Sequence, residues 1–418
     1  ITMQAAGNIN TGFTHSRTFG SGKSGDITII SSGGNINTTA GSLETKSDNG
    51  NGGAIALTAT SGNITTGLIN STAPGKGGNI TLNAANTITA NSIDSTGAPG
   101  SGNINLKANE IDFFNVRNET TSTIKGRGTI QLEAATPSQN IVINGISDTG
   151  KDTLDITQSD LAALVDGFGS IIIGSNSTSG AITLANDITF NDPIILNAFG
   201  AGGSISTNSF TITGQDNARI ILLADGNITT NDIKNPGFPV SITSTNGNIV
   251  ANKIDTNLLS SGFGTGGPIN ITANNGSVTT KDIASFTQAT ATETIGNAGE
   301  ININAKNDIN TGVLRAFSVN DGNGNAGKGG NISLNSTSGN ITAGSLNSYS
   351  QVTAFKGSNS LPGSSSQAGD ITLTAKNGTI NILDNIASFS STNAVGTAGA
   401  GGNVTFTGNV TLNNSALS

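Results

Sequence analysis

Cysteine and tryptophan are both absent from the 418 residues, and there is one histidine, His15, and one tyrosine, Tyr349. Without cysteine there are no disulfide staples and no thiolate metal ligands, so stability must come from packing. One histidine excludes a histidine metal cluster, and it leaves no Ser-His-Asp or Cys-His constellation away from that residue. His15 reads as an exposed residue of a first-coil loop. Aromatic residues are only 4% of the chain, so the core must be aliphatic. Charged residues are 11%, with a net charge of −8. No basic field exists to neutralise phosphates, which argues against a nucleic-acid partner. No run of 18 apolar residues is present, so no helix is expected to insert in a membrane. Glycine is abundant, at 58 residues, but it does not fall at every third position, which excludes collagen.

What the chain has instead is repetition. Gly77-Gly78-Asn79-Ile80-Thr81-Leu82-Asn83-Ala84 alternates apolar Ile80, Leu82 and Ala84 with polar Asn79, Thr81 and Asn83. That period of two is a strand with one apolar face. Copies begin at Gly25, Gly53, Gly102 and Gly128, and again at Gly267, Gly299, Gly330, Gly369 and Gly402. The steps are 28, 25, 24 and 26 residues in the first series and 32, 31, 39 and 33 in the second. Each copy is followed by a second short strand, as in Gly62-Asn63-Ile64-Thr65, and a third, as in Leu68-Ile69-Asn70-Ser71. A variable Gly/Ser/Thr loop then leads to the next copy.

Such a period denotes a solenoid or an array. Helical spacing and ankyrin or leucine-rich signatures are missing, as are the aromatic signatures of propeller blades. A three-sided coil buries its isoleucines only when another coil lies above and below it. The sequence therefore predicts an all-β parallel β-helix with three short strands per coil. About 16 coils at roughly 4.8 Å each would make a rod on the order of 75 Å long. Length varies only between the third strand and the next glycine, which places the elastic loops on one edge. The glycines are expected at corners that need positive φ. Asn8, Asn35 and Asn63 are expected to stack as a ladder of buried amides.

Along the chain, residues 1–112 read as regular coils. Residues 113–178 are irregular, with a protruding loop from Val116 to Arg127. A short inserted helix is expected near 159–166, with Ser159 as N-cap and Gly167 as C′. Coils resume over 179–255, where Pro193, Pro236 and Pro239 should mark corners or strand starts. Residues 256–418 are coils with longer edge loops of the same continuous solenoid. Here Phe286, Phe317, Tyr349 and Phe389 each follow the third-strand aliphatic by three residues, where Lys46, Thr72 and Thr96 stand in the first half. Two readings of this column stay open: packing at the base of the loops, or a contact platform for sugar or a partner.

The combined phrase, Gly-Asn/Asp-Ile-Thr-Leu followed by Gly-Asn-Ile-Thr-Thr-Gly, resembles bacterial filamentous-haemagglutinin-type exoproteins, particularly the Gly/Asn/Thr-rich ones of cyanobacteria. The segment from Leu154 to Gly174 is similar to those proteins too. The resemblance implies a right-handed β-helix exported by two-partner secretion to the cell surface or extracellular space. There it would serve as an adhesin or as the body of a fibre. No secretion domain is visible in this stretch. Ile1-Thr2-Met3 and the strand ending at Leu412 both read as cut from a continuing pattern, so a piece of a longer protein is expected.

Three motifs tempt and fail. Gly20-Ser21-Gly22-Lys23-Ser24-Gly25 resembles a phosphate loop, but a strand rather than a helix follows it. Asp321-Gly322-Asn323-Gly324-Asn325 opens like a calcium loop, but its twelfth position is Ile332. The acids Asp94, Asp112, Asp232 and Asp255 are spread singly, unlike a polysaccharide lyase cluster. The expectation is a non-enzymatic extracellular structural and adhesive rod with no catalytic, cofactor or metal residues. Its expected partners are copies of itself stacked end to end, surface carbohydrate, or another cell-surface molecule. The alternative is a carbohydrate-binding or polysaccharide-degrading β-helix protein.

Overall fold

The computed structural model describes residues 1–113, 122–146, 152–259, 264–354, 363–393 and 396–413. The chain forms two compact units. One comprises residues 1–187 with 191–206, and the other comprises 188–190 with 207–418. Both are stacks of short parallel strands, so the fold is a parallel β-helix, with a single helix among the described residues.

In the first unit the repeated phrase supplies the leading strand of each coil. Ile27–Ser31, Ile55–Ala59, Ile80–Ala84, Ile104–Lys107 and Thr129–Glu133 pair in sequence, all parallel. The register puts Ile27, Ile55, Ile80, Ile104 and Ile130 in one column and Ile29, Leu57, Leu82, Leu106 and Leu132 in the next. All ten are at most 1% exposed. Each buried Ile or Leu contributes roughly 1.5–3 kcal/mol before conformational entropy is subtracted. A slip of one residue would turn every one of these side chains outward, so the apolar columns fix the register. The second unit repeats the device. Ile220, Val240, Ile269, Ile301, Ile332, Ile371 and Val404 form one continuous column.

Coils close on themselves by a brace at the end of the third strand. The N–H of Gly78 donates to the carbonyl of Ser71 at 2.9 Å, and the hydroxyl of Ser71 donates to the carbonyl of Gly78 at 2.8 Å. Thr45 with Gly53 and Ser95 with Gly102 repeat the hydroxyl bond at 2.6 and 2.7 Å. In the second unit Gly299, Gly330, Gly369 and Gly402 donate to the carbonyls of Ser285, Ala316, Ser348 and Ser388. The loop between brace residues lies outside the closed ring, which is why its length is free to vary.

The repeat glycines are not there for positive φ. Among them only Gly102 has it, at 73°. They are required because the coils stack backbone on backbone. A Cβ on Gly78 would lie 1.9 Å from the carbonyl oxygen of Gly53, and one on Gly330 would lie 2.0 Å from that of Gly299. The asparagine ladder also differs from expectation. Asn8 and Asn35 are exposed, and their Oδ1 atoms accept the main-chain N–H of Asn35 and Asn63 in the next coil, each at 2.8 Å. An acceptor is all that this position needs, so Asp26, Asp308 and Asp370 serve equally. The prolines fall as expected. Pro193 and Pro239 immediately precede strands, and their carbonyls accept from Ile171 and Ile220.

The irregular segment holds an extra strand. Asn140–Gly145 and Thr153–Thr157 pair parallel to each other within one coil. The helix then runs Gln158–Ala163, earlier and shorter than its spacing predicts. Its N-cap is Thr157, not Ser159, in a capping box with Asp160. The buried Asp160 carboxylate also accepts the N–H of Phe113 at 2.8 Å, which ties the insertion to the preceding coil. Leu164 is the C-cap, so Gly167 is not the C′ residue. Thr123–Lys125 is a strand, although the whole of 116–127 reads as loop in the sequence; residues 116–121 lie outside the described ones.

Gly167 sits at φ 121° and donates its N–H to the carboxylate of Asp192 at 3.1 and 3.2 Å. Burial raises the pKa of Asp192; the N–H groups of Gly167 and Phe168 oppose the rise, and Asp166 reinforces it. A raised folded-state pKa favours the neutral acid, so stability is lost as pH rises through that value. Asp192→Asn should therefore be at least as stable as the parent near pH 7, and the two should converge below about pH 3.5, where the acid is protonated in both states. Urea midpoints at the two pH values check this, and a variant weaker than the parent at neutral pH refutes it.

The stacking role of glycine is tested by Gly330→Ala. It should destabilise by about 1–3 kcal/mol or more, as overpacking against backbone does. Gly12→Ala, where a Cβ meets nothing within 4 Å, should be nearly neutral. Thermal unfolding of the two variants compares them directly.

Candidate functional site

The feature most able to carry a contact function is the aromatic column of the second unit. Ile283, Leu314, Leu346 and Ile386 form a fully buried third-strand column, each paired with the next. Three residues on, Phe286, Phe317, Tyr349 and Phe389 lie one above another. Ring centroids are separated by 4.5, 4.7 and 4.8 Å, with interplanar angles of 15°, 4° and 4°. The strand spacing of a parallel stack sets these distances, and rings meeting at that distance pack face to face. All four predicted residues are thus brought together.

The residues after each ring were expected to be loop. They are a fourth strand: Thr287–Ala289, Ser318–Asn320, Ser350–Val352 and Ser390–Thr392, again parallel and in register. The strand's leading hydroxyl reaches across to the returning limb of the loop. Thr287 Oγ1 donates to the Asn297 carbonyl at 2.8 Å, and Ser318 Oγ donates to Gly296 at 3.0 Å. Ser350 Oγ donates to Gly327 and Ser390 Oγ to Ser366, both at 2.7 Å. The returning limbs pair as well, through Ala326, Ser365 and Ala398. Ala326, Val352 and Ala354 close a small apolar cluster between the limbs. The edge loops of the second unit therefore stack into a fin, and the aromatic column is its hinge line with the coil.

Phe317 is 9% exposed, while Phe286, Tyr349 and Phe389 are half-buried. Because each inner ring lies between two others, its faces are covered. What the column presents outward is ring edges, flanked by polar groups. Arg315 Nη1 pairs with Asp282 Oδ2 at 3.1 Å. Burial acts to raise the pKa of Asp282, but the Val313 N–H and the Arg315 guanidinium outweigh it, and the net shift is downward. Asp321, which opens the calcium-like motif, accepts from Gln288 Nε2 at 2.9 Å and from Thr353 Oγ1 at 2.6 Å. It is a brace between fin strands.

The remaining sequence candidates have structural positions. The strand Ile27–Ser31 follows the glycines of the phosphate-loop lookalike. His15 lies on the strand Thr14–Thr18 rather than in a loop, with its ring half exposed and Nε2 3.1 Å from Ser42 Oγ. Asp232 accepts the Lys253 N–H at 3.3 Å, and Asp94 accepts the N–H and hydroxyl of Thr96, so these acids serve local bonds. Among the described residues no group of three or more His, Cys, Asp or Glu is placed to hold a metal ion, and no helix is long and apolar enough to cross a membrane. No family model, curated protein or solved structure matches the chain.

Tyr349 is both an inner ring of the column and the sole tyrosine in a chain without tryptophan, so it reports on the stack without interference. Burial raises its phenol pKa; Arg315 opposes the shift and Asp321 adds to it. Phe317→Ala should uncover one ring face and move the titration back toward the ordinary value of about 10. It should also cost about 3–5 kcal/mol in the second unit. Absorbance titration near the phenolate band reads the first effect. An unchanged Tyr349 titration would show that the rings do not depend on one another.

Proposed function

We propose that this chain is a structural and adhesive segment of a bacterial surface fibre, of the filamentous-haemagglutinin type that its repeats resemble. Its role is mechanical and interfacial rather than catalytic. The observation that carries this reading is where the polar groups go. The buried hydroxyls of Thr45, Ser71, Ser95, Ser285 and Ser348 bond glycine carbonyls of the stack, and the Asn/Asp acceptors of the ladders bond the next coil, so these polar groups hold the stack together. The isoleucine columns exclude water from the coil interior, and the parallel ladders leave no exposed central strand for a protease to enter.

An extracellular location goes with this role, and the lack of cysteine is compatible with it, since a stack braced by hydrogen bonds needs no oxidative staple. Edge loops and the fin supply the contact surfaces. Many weak contacts repeated along one scaffold give avidity without a deep pocket.

Intact producing cells labelled with an antibody to the folded segment should stain at the surface, and immunogold microscopy should place the label on fibres. The folded segment should resist proteolysis except at its edge loops. Label confined to the cell interior would overturn the reading.

A further inference from the structure

The aromatic position of the second unit has a different occupant in the first. Register places Arg17 beside Lys46 in adjacent coils. The pairings Glu44↔Asn70, Asn70↔Asp94 and Asp94↔Lys125 carry the same column onward through Thr72 and Thr96 to Arg127. The column that reads Phe, Phe, Tyr, Phe in one unit thus reads Arg, Lys, Thr, Thr, Arg in the other. No fin covers it, because the loops after Ser71 and Ser95 are short. A shallow groove of about 500 Å³ lies along it instead, lined by Lys46, Asp48, Thr72, Pro74, Thr96 and Arg127.

Both signs of charge border the groove: Asp48 lines it, and Asp94 accepts the N–H and hydroxyl of Thr96. Asp48 is held by Arg17 at 2.9 Å, and Arg17 in turn lies over the Phe19 ring at 4.9 Å. Lys46 Nζ is 3.9 Å from Glu44, a loose contact. Arg127 is exposed and has no ion-pair partner among the described residues. Lys76, on the loop beside the groove, is exposed and likewise unpaired. The first unit as a whole holds nine basic and fifteen acidic residues, so the attraction for an anion is local to these side chains. Between the cations, the hydroxyls of Thr72 and Thr96 donate to Asn70 and Asp94 at 2.8 Å, which leaves each oxygen with the capacity to accept.

We propose that this groove binds a linear acidic polysaccharide, its carboxylate or sulfate groups on Lys46 and Arg127 and its hydroxyls on Thr72 and Thr96. Lys46 and Arg127 stand three coils apart, about 14 Å along the stack, so the site matches a polymer whose charges are spaced by sugar units. Duplex nucleic acid carries a charge every ~1.7 Å and would demand a denser basic field. Single strands need aromatic faces for base stacking, and the groove lining has none. Sugar binding by carboxylate-directed cations and neutral hydroxyls is the chemistry that fits. The proposal deepens the adhesive reading by naming a ligand class, and it rests on that reading for its biological setting.

The test measures retention of the purified chain on immobilised polygalacturonate, dextran sulfate, neutral dextran and single-stranded DNA, at about 50 and 300 mM salt. The parent should bind at least one acidic glycan, ignore dextran and weaken with salt; which glycan is retained tells carboxylate from sulfate. Lys46→Gln with Arg127→Gln should weaken binding by about tenfold or more, whereas Lys328→Gln with Lys376→Gln should leave it unchanged. Both pairs are solvent-accessible, and an unchanged unfolding midpoint certifies each fold. The proposal is overturned by no retention on either acidic glycan, by a groove variant that binds like the parent, or by DNA bound as tightly as glycan. None of these results touches the surface-labelling experiment, so the groove can fail while the structural reading stands, and the reverse.

Discussion

Each coil is held at the distance at which one peptide backbone meets the next, and almost every other feature follows from that spacing. Parallel strands settle about 4.8 Å apart because their N–H and carbonyl groups must pair. Where the chain turns, two backbones still approach that closely, and a side chain pointing along the axis has no room. That is why glycine recurs at Gly53, Gly78, Gly299, Gly330 and Gly369. The same spacing brings successive phenyl rings to 4.5–4.8 Å and aligns each asparagine oxygen with an amide one coil on. A single distance thus selects glycine at one position, an acceptor at a second and a flat ring at a third.

Variation is confined to places where the spacing does not bind. The brace between the residue that closes the third strand and the next repeat glycine completes the ring, so the intervening loop is free of the core. In the first unit these loops stay short and leave a groove beside a basic column. In the second they lengthen, pair with one another and become a fin on an aromatic hinge. The two outcomes share one position in the repeat, three residues past the buried aliphatic. Rings there cover one another and build outward, whereas cations there repel one another and are better left open to solvent or to a counter-charge.

This difference shows how much of the fold the sequence makes legible. The Ile/Leu columns and the aromatic column are apolar and periodic, so spacing alone exposes them. The brace was harder to see, because Thr45, Ser71 and Ser95 look like ordinary loop hydroxyls until a glycine carbonyl is placed against them. The fin strands are three residues long and sit inside segments of variable length, where alternation has no room to declare itself. Thr157 does not stand out as an N-cap in the sequence because it ends a strand. Its pairing with Asp160 becomes visible only once that strand is known to stop there. The glycines were legible as necessary, but their reason was not, since close approach and positive φ leave the same letter in the sequence.

Recognition on such a scaffold is therefore a matter of columns rather than pockets. A residue type chosen at one position of the repeat is presented again one coil later at a fixed interval, so a short mutational path converts a packing column into a binding row. A ligand matched to this surface must itself be extended and periodic, because only then does each added coil add a contact in register. Polymers with regularly spaced charges meet that condition. The geometry that makes the stack stiff is the same geometry that restricts what it can hold.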